Sequence, residues 1–452
     1  MRAGVQIDRL TNDPRPPTPR DVYRKVMWRI MPLLFICYVV AFLNRQNVGF
    51  AKLQFMPDLH FNEAVYGLGG GLFYLGYILC EIPSNLYLAK SGLRNTLLRI
   101  MVLWGICSAA MAFMKDPTQF YVLRGLLGAA EAGLFPGVLL YLTFWIPTER
   151  RAFFTALFVF SIGVSGIIGG PLSGGIMRWL NGVGGLKGWQ WLFLIDGLPS
   201  CVLGVVAYLV LSNDPSQAKW LTDSEKATVL RDLEEDRKAK ATRANGSFGR
   251  ALRDHRFYLI ACMAYALLSS VGGVFLWLPT IVRNSGIKNV WDVGLMSAVP
   301  FLIGVIVQIG VARHSDYQLE RRWHTAVPAL VGALGWVMLP FFLKSPGLML
   351  LMITLATTGS LAAMGPFWTM PSAIFSGTAG AAGIALITTI GGFGGFVSPI
   401  LVGWIATRTG SLVAGLYYFA TIMLLGALGI IMIGGGRLSD AVVAEPGATV
   451  RS

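Results

Sequence analysis

Charge is what this chain has least of: 13% of its 452 residues are Asp, Glu, Lys or Arg, about half the share of an ordinary soluble protein. Hydrophobic residues make up 54%, and the mean hydropathy is +0.61. So few charges cannot coat the roughly three soluble domains that the length would suggest, so the apolar surface must face lipid. That excludes a cytosolic enzyme or a nucleic-acid binder. Cysteine is also scarce. Cys37, Cys80, Cys107, Cys201 and Cys262 all fall in apolar runs with no CxxC or Cys/His spacing, so neither a disulfide nor a metal is expected. The four histidines (His60, His255, His314, His324) fall in loops or at the ends of runs, and nothing in the pattern calls for a cofactor. The first 28 residues are polar, with Asp13-Pro14-Arg15-Pro16-Pro17, and lack the apolar core of a signal peptide, which predicts a cytoplasmic N-terminal tail.

What the chain has in abundance is long apolar runs. A helix needs about 20 apolar residues to cross the hydrocarbon core. Twelve such runs lie near 29 to 51, 65 to 89, 96 to 114, 119 to 146, 152 to 177, 190 to 211, 257 to 282, 292 to 313, 325 to 343, 347 to 370, 378 to 406 and 412 to 434. The one long polar segment, 212 to 256, divides them into six and six. The predicted architecture is therefore an all-α membrane protein of two pseudo-symmetric six-helix bundles, 29–211 and 257–434. A cytoplasmic central loop at 212–256 joins them, and a cytoplasmic tail follows at 435–452.

Basic loops resist translocation, so the positions of Lys and Arg set the orientation. With the N-terminus inside, inner segments hold 27 and outer loops 8 (Lys52, Lys115, Arg178, Lys187, Arg283, Lys288, Lys344 and Arg408), with Arg45 and Arg124 inside helices. Both termini are thus expected in the cytoplasm. The net charge of +14 follows from topology and needs no nucleic acid. Each half also carries a short basic turn after its second helix, Lys90 to Arg94 and Asp316 to Arg322, as expected of an internal repeat of the kind that builds alternating-access transporters.

Ionisable groups at membrane depth are costly and call for a reason. Arg45 lies on one helical face with Tyr38, Phe42 and Gly49 (i, i+4, i+7, i+11), an aromatic stripe ending in a guanidinium. Arginine pairs a carboxylate through two parallel hydrogen bonds, so this face suits an aromatic or aliphatic carboxylate. The alternative is an Arg45 near the outer end that snorkels to water. On the fourth run, Arg124, Gly128, Glu131 and Phe135 share a face. About 10 Å of rise separates Arg124 from Glu131, so each is expected to find another partner. Low dielectric favours a neutral carboxyl, which suits Glu131 to proton coupling. The alternative is a permanent structural ion pair. On the second helix, Tyr74, Tyr77 and Glu81 follow i, i+3, i+7 spacing, with the tyrosines read as substrate contacts and Glu81 as a gate or structural residue. Asp196, in Trp189 to Pro199, reads as structural. The fifth helix carries Gly166, Gly169, Gly170, Pro171, Gly174 and Gly175, a small-residue seam with a bendable proline.

That Gly-xxx-Gly-Pro-xx-Gly-Gly pattern, with Arg124-x-x-x-Gly128 and the Gly310 to Arg322 turn, resembles the motifs of the major facilitator superfamily. Within it, Arg45 to Ala51, Glu81-Ile82-Pro83-Ser84-Asn85, Arg124 to Gly137, Trp189 to Pro199 and Asp214-Pro215 with Ala218 to Thr222 resemble the anion:cation symporter family, in its tartrate, phthalate and hydroxyphenylacetate branch. The resemblance implies proton-driven uptake of organic anions, with Arg45, Arg124 and Glu131 in binding and coupling. It also implies a latch at the inner gate, here Asp316 with Arg321, because Ala89-Lys90 replaces the usual aspartate of the first copy. One departure stands beside Arg45: the family usually has an aspartate where this chain has Asn44, which leaves Glu131 as the proton carrier. The expected protein is a monomeric, multi-pass carrier of the bacterial inner membrane, not an enzyme, whose partners are a small organic anion, a proton and lipid. A uniporter or anion exchanger, and a non-transporting membrane sensor, are the competing readings.

Overall fold

The computed structural model describes residues 18–241, 252–374 and 377–433. The predicted tail at 435–452 and most of 1–28 lie outside these residues. The described chain is helical throughout, with no strand among the described residues.

The first helix, α1 (Pro19–Leu59), begins earlier than the apolar run suggests. Pro19 at its first position and the Thr18 hydroxyl, which accepts from the Asp21 amide, start the helix in the polar segment. Helix α2 (Glu63–Ala110) holds both the second and third predicted spans. At 1.5 Å per residue, 48 residues would reach about 72 Å if straight, far beyond a bilayer core of about 30 Å. The chain instead turns back at Gly92 (φ 76°, ψ 168°), so that Arg99 Nη2 reaches the Ser84 hydroxyl at 2.5 Å. A side chain at Gly92 would meet the left-handed penalty and the Asn213 amide 2.5 Å from its Cβ.

The fourth span is also two pieces, α3 (Pro117–Glu131) and α4 (Leu134–Thr143). Then come α5 (Thr148–Trp179) and α6 (Gly188–Val210), which complete the first half. The second half contains α8 (His255–Asn284), α9 (Val290–Gln318), α10 (Arg322–Met338), α11 (Pro346–Ile374), α12 (Gly377–Thr409) and α13 (Val413–Met432). Among the described residues, eleven helical spans are long and apolar enough to cross a membrane, and α2, folded back at Gly92, is long enough to do so twice.

The central segment is not simply a loop. It contains α7 (Asp223–Ala241), docked against the first half. Val229 packs with Val22 and Tyr23, Lys25 Nζ pairs with Glu225 at 2.7 Å, and Trp145 stacks on Trp220 with centroids 5.5 Å apart.

The two halves meet through glycine-lined contacts near the end opposite the termini. A Cβ on Gly49 would lie 2.6 Å from the Phe275 carbonyl oxygen, on Gly67 2.3 Å from that of Pro399, and on Gly170 2.3 Å from that of Gly294. Backbones approach this closely only where no side chain intervenes. The fifth-helix seam thus packs across the halves: Gly166 faces the Phe301 ring and Gly174 the Val290 carbonyl, while Pro171 sits in an unbroken α5.

Candidate substrate site

Arg45 and Glu131 meet at the centre of the first half. Arg45 Nε and Nη2 both lie 2.7 Å from Glu131 Oε1, joining α1 to the last residue of α3. Glu131 is 1% exposed, and the Arg45 side chain 17%. Arg45 lies deep in the bundle, so it does not snorkel. Its guanidinium sits over three rings: Phe42 at 4.7 Å, Tyr77 at 5.4 Å and Phe73 at 5.5 Å from the centroids.

Arg124 is arranged differently. It is 2% exposed, its Nε donates to the Gly69 carbonyl at 3.3 Å, and its Nη1 has no hydrogen-bond partner among the described residues. Its guanidinium carbon lies 4.8 Å from the Phe73 centroid, so the two arginines share one ring. Phe73 was missed by the sequence reading, although its four-residue spacing from Tyr77 would have placed it on that face. Arg124 and Glu131 do not pair with each other: Glu131 takes Arg45, while Arg124 takes the Gly69 carbonyl and leaves Nη1 without a partner among the described residues.

Local backbone explains these positions. Gly128 allows α3 to lie on α2, since a Cβ there would be 1.8 Å from the Phe73 carbonyl oxygen. Immediately after Glu131 the helix breaks: Ala132 leaves helical geometry (φ −55°, ψ 132°) and Gly133 is left-handed (φ 87°). The predicted continuous face from Arg124 to Phe135 is therefore interrupted. Phe135 falls in α4 and packs with Tyr38 and Phe158.

The aromatic candidates divide. Tyr38 is packed among Phe42, Phe135 and Phe158, stacking on the last at 4.1 Å. Phe42 reaches across the halves to Phe275 at 5.7 Å. Tyr74 and Tyr77 are partly exposed, and Tyr74 lies against Gly272 and Gly395 of the second half. Glu81 is partly exposed, about three turns before the Gly92 bend of α2, and makes no ion pair among the described residues. Asp316 and Arg321 lie at the terminal end of the second half, paired at 2.6 Å, with Arg321 Nη1 also donating to Ser315 Oγ at 2.9 Å.

Asn44 faces away from Arg45. Its amide donates to the Asp196 carbonyl at 2.9 Å and its Oδ1 accepts from Ser108 at 2.6 Å, while Asn47 donates to the Asp196 carboxylate at 2.9 Å. The departure at this position therefore enters packing among α1, α2 and α6. Lys52, counted above among the outer-loop cations, is instead inside α1 and 3% exposed.

A polytopic helical protein of two halves, with two guanidiniums and a buried carboxylate inside the first half, has the build of a membrane carrier. The chain belongs to the Major Facilitator Superfamily, whose family model matches residues 34–399. It is 41% identical over 407 residues to an Agrobacterium vitis protein named "Putative tartrate transporter", covering 90% of each chain. It is 37% identical to a quinolone resistance transporter of Acinetobacter baumannii, over 90% of this chain and 94% of that one. Among solved structures, the inward-open xylose transporter XylE of Escherichia coli matches with a TM-score of 0.73 at 14% identity, covering 92% of this chain and 99% of that one, a likeness of fold. The protein is thus a multi-pass membrane transporter rather than an enzyme.

Proposed function

We propose that this transporter imports a small organic carboxylate, aromatic or hydroxy/dicarboxylic, together with a proton, across the bacterial inner membrane with both termini in the cytoplasm. The observation that carries this reading is the set of charges at the site: the buried guanidinium of Arg124, the partly buried one of Arg45, the Glu131 carboxylate between the helices, and an Arg124 donor with no acceptor among the described residues. A substrate carboxylate supplies the missing acceptor. Its planar oxygens match the guanidinium fork, and the rings of Phe42, Phe73, Tyr74 and Tyr77 suit its apolar body.

Coupling follows from the Arg45–Glu131 pair. While Glu131 is ionised, Arg45 is neutralised. Protonation of Glu131 removes that partner and leaves Arg45 and Arg124 both available to the anion, so proton and substrate are bound together. Loss of the substrate to the other side restores the pair once the proton leaves. The seam of Gly166, Gly170, Pro171 and Gly174, with Glu81 and the Asp316–Arg321 pair, serves the movement between the halves. The named relative supports the carboxylate class, the 27-to-8 split of basic residues supports the orientation, and one chain supplies the whole arginine–carboxylate site, which fits a monomer.

The test is uptake into proteoliposomes of a panel of labelled hydroxy, dicarboxylic and aromatic acids under an imposed pH gradient. Accumulation of one class that collapses with a protonophore is expected. Uptake indifferent to the protonophore would favour a uniporter or exchanger.

A further inference from the structure

Near the end of the bundle opposite the termini, a lysine ammonium is buried between the two halves. Lys52 on α1 is 3% exposed, and its Nζ lies 2.7 Å from Glu63 Oε2 on α2. Two fully buried rings cover it: Tyr66 of α2, with its centroid at 4.4 Å, and Trp277 of α8, at 4.1 Å. The rings meet edge to face, 5.2 Å between centroids at 76°. Around this cage, Tyr66 donates to the Leu276 carbonyl at 2.9 Å, and Arg283 Nη1 to the Leu53 carbonyl at 3.1 Å. Lys52, Glu63 and Tyr66 belong to the first half, Trp277 and Arg283 to the second.

We propose that the seating of the Lys52 ammonium on Trp277 is the latch that holds this end of the transporter closed. The Lys52–Glu63 ion pair lies within one half and can survive separation of the halves. The contact with Trp277 cannot, and neither can the Tyr66 and Arg283 hydrogen bonds. An ammonium on an indole face is attracted by the ring quadrupole, most strongly where water is excluded, as it is here. Opening this end hydrates Lys52 beside Glu63 and exposes the Trp277 ring, so the closed state is favoured by a contact that exists only across the halves. The latch lies outside the arginine–carboxylate site and rests on the alternating-access character of the fold, not on the identity of the substrate.

The test uses spin labels on Lys115→Cys and Lys288→Cys, exposed positions near this end on opposite halves, in an otherwise cysteine-free chain that stays folded and monodisperse. Pulsed electron–electron distance measurements in lipid, without substrate, give the ratio of open to closed states at this end. Trp277→Leu is expected to raise that ratio roughly tenfold or more, and Trp277→Phe, which keeps a weaker aromatic face, by less. Lys52→Met should raise it too, and the Lys52→Met/Trp277→Leu pair should open it no more than about twofold beyond Trp277→Leu alone, because one contact is removed twice. An unchanged distribution in Trp277→Leu, or additive effects of the two substitutions, would overturn the latch. Because the measurement involves neither carboxylate nor proton, its failure is separable from failure of the transport assay.

Discussion

Arg45 and Glu131, 86 residues apart in sequence, are joined at a single carboxylate oxygen by a hydrogen bond from Nε and an ion-pair contact from Nη2, while Arg124 beside them keeps an Nη1 with no acceptor among the described residues. A buried pair of this kind is fragile to loss of one member, because the survivor is left as an uncompensated charge. In a carrier that fragility is useful. On the proposed mechanism a proton on Glu131 releases Arg45 from this partner.

Glu131→Gln mimics the protonated state permanently. Exchange of labelled for unlabelled carboxylate across the membrane should persist, while accumulation driven by a pH gradient disappears. Both are read in the same proteoliposomes. Loss of exchange and accumulation together would assign Glu131 to structure alone.

Arg124→Lys retains the charge and loses the planar fork. Transport should fall by roughly tenfold or more, on the scale of losing about 1.5–3 kcal/mol from a charge-assisted hydrogen bond, with the protein still inserted and monodisperse. Near-normal uptake would mean that Arg124 acts as a point charge.

The sequence makes the twelve apolar runs, the six-and-six division and the one-faced placement of Arg124 with Glu131 legible, because hydropathy and helical period are local properties. Tertiary contacts are not local. Nothing near Arg45 announces Glu131 as its partner, and Lys52 reads as a loop cation until Trp277, more than 200 residues away, is seen to cover it. The break after Glu131 had a signal in Ala132-Gly133 and Pro136, but the run's apolar content masked it. Asn44 and Arg45 are neighbours in sequence only. A helical step of about 100° turns Asn44 towards Ser108 and Asp196.

For Asn44→Asp the contacts of Asn44 point to a loss of stability rather than of binding. An ionised carboxylate at this position cannot donate to the Asp196 carbonyl and sets two acceptors face to face, so thermal stability should fall. Substrate affinity measured from pH 5 to pH 8 should run parallel to the unmodified protein. A pH-dependent divergence in affinity would instead tie residue 44 to the binding site.

Gly133→Ala tests the break in the fourth span. The residue is left-handed at φ 87°, and an added Cβ would lie 2.4 Å from Ser84 Oγ. A stability loss of about 1–2 kcal/mol is expected from the backbone alone, visible as a lowered melting temperature in detergent. An unchanged melting temperature would mean that the break straightens without cost.

The docking of α7 has a pH signature. Burial pushes the Glu225 carboxyl up, but the hydrogen bonds from Lys25 and Thr222 prevail and hold it below the ordinary carboxylate range. A depressed value means that the stabilisation is fully present above the unfolded value near 4.3 and is lost as pH falls through the folded one. Hydrogen exchange of α7 should therefore stay slow at pH 5 and above and quicken only in stronger acid. Glu225→Gln should quicken it at pH 7. Equal protection in the two proteins at pH 7 would remove Glu225 from the docking.

On the mechanism proposed, a proton on Glu131 frees Arg45 for a carboxylate. The direct measurement is the internal pH of proteoliposomes carrying a trapped indicator, followed as a transported carboxylate is added outside. Acidification that follows substrate entry in the unmodified protein, and is absent from Glu131→Gln although its exchange persists, is the expected result. Carboxylate entry with no change in internal pH, or acidification undiminished in Glu131→Gln, would contradict it.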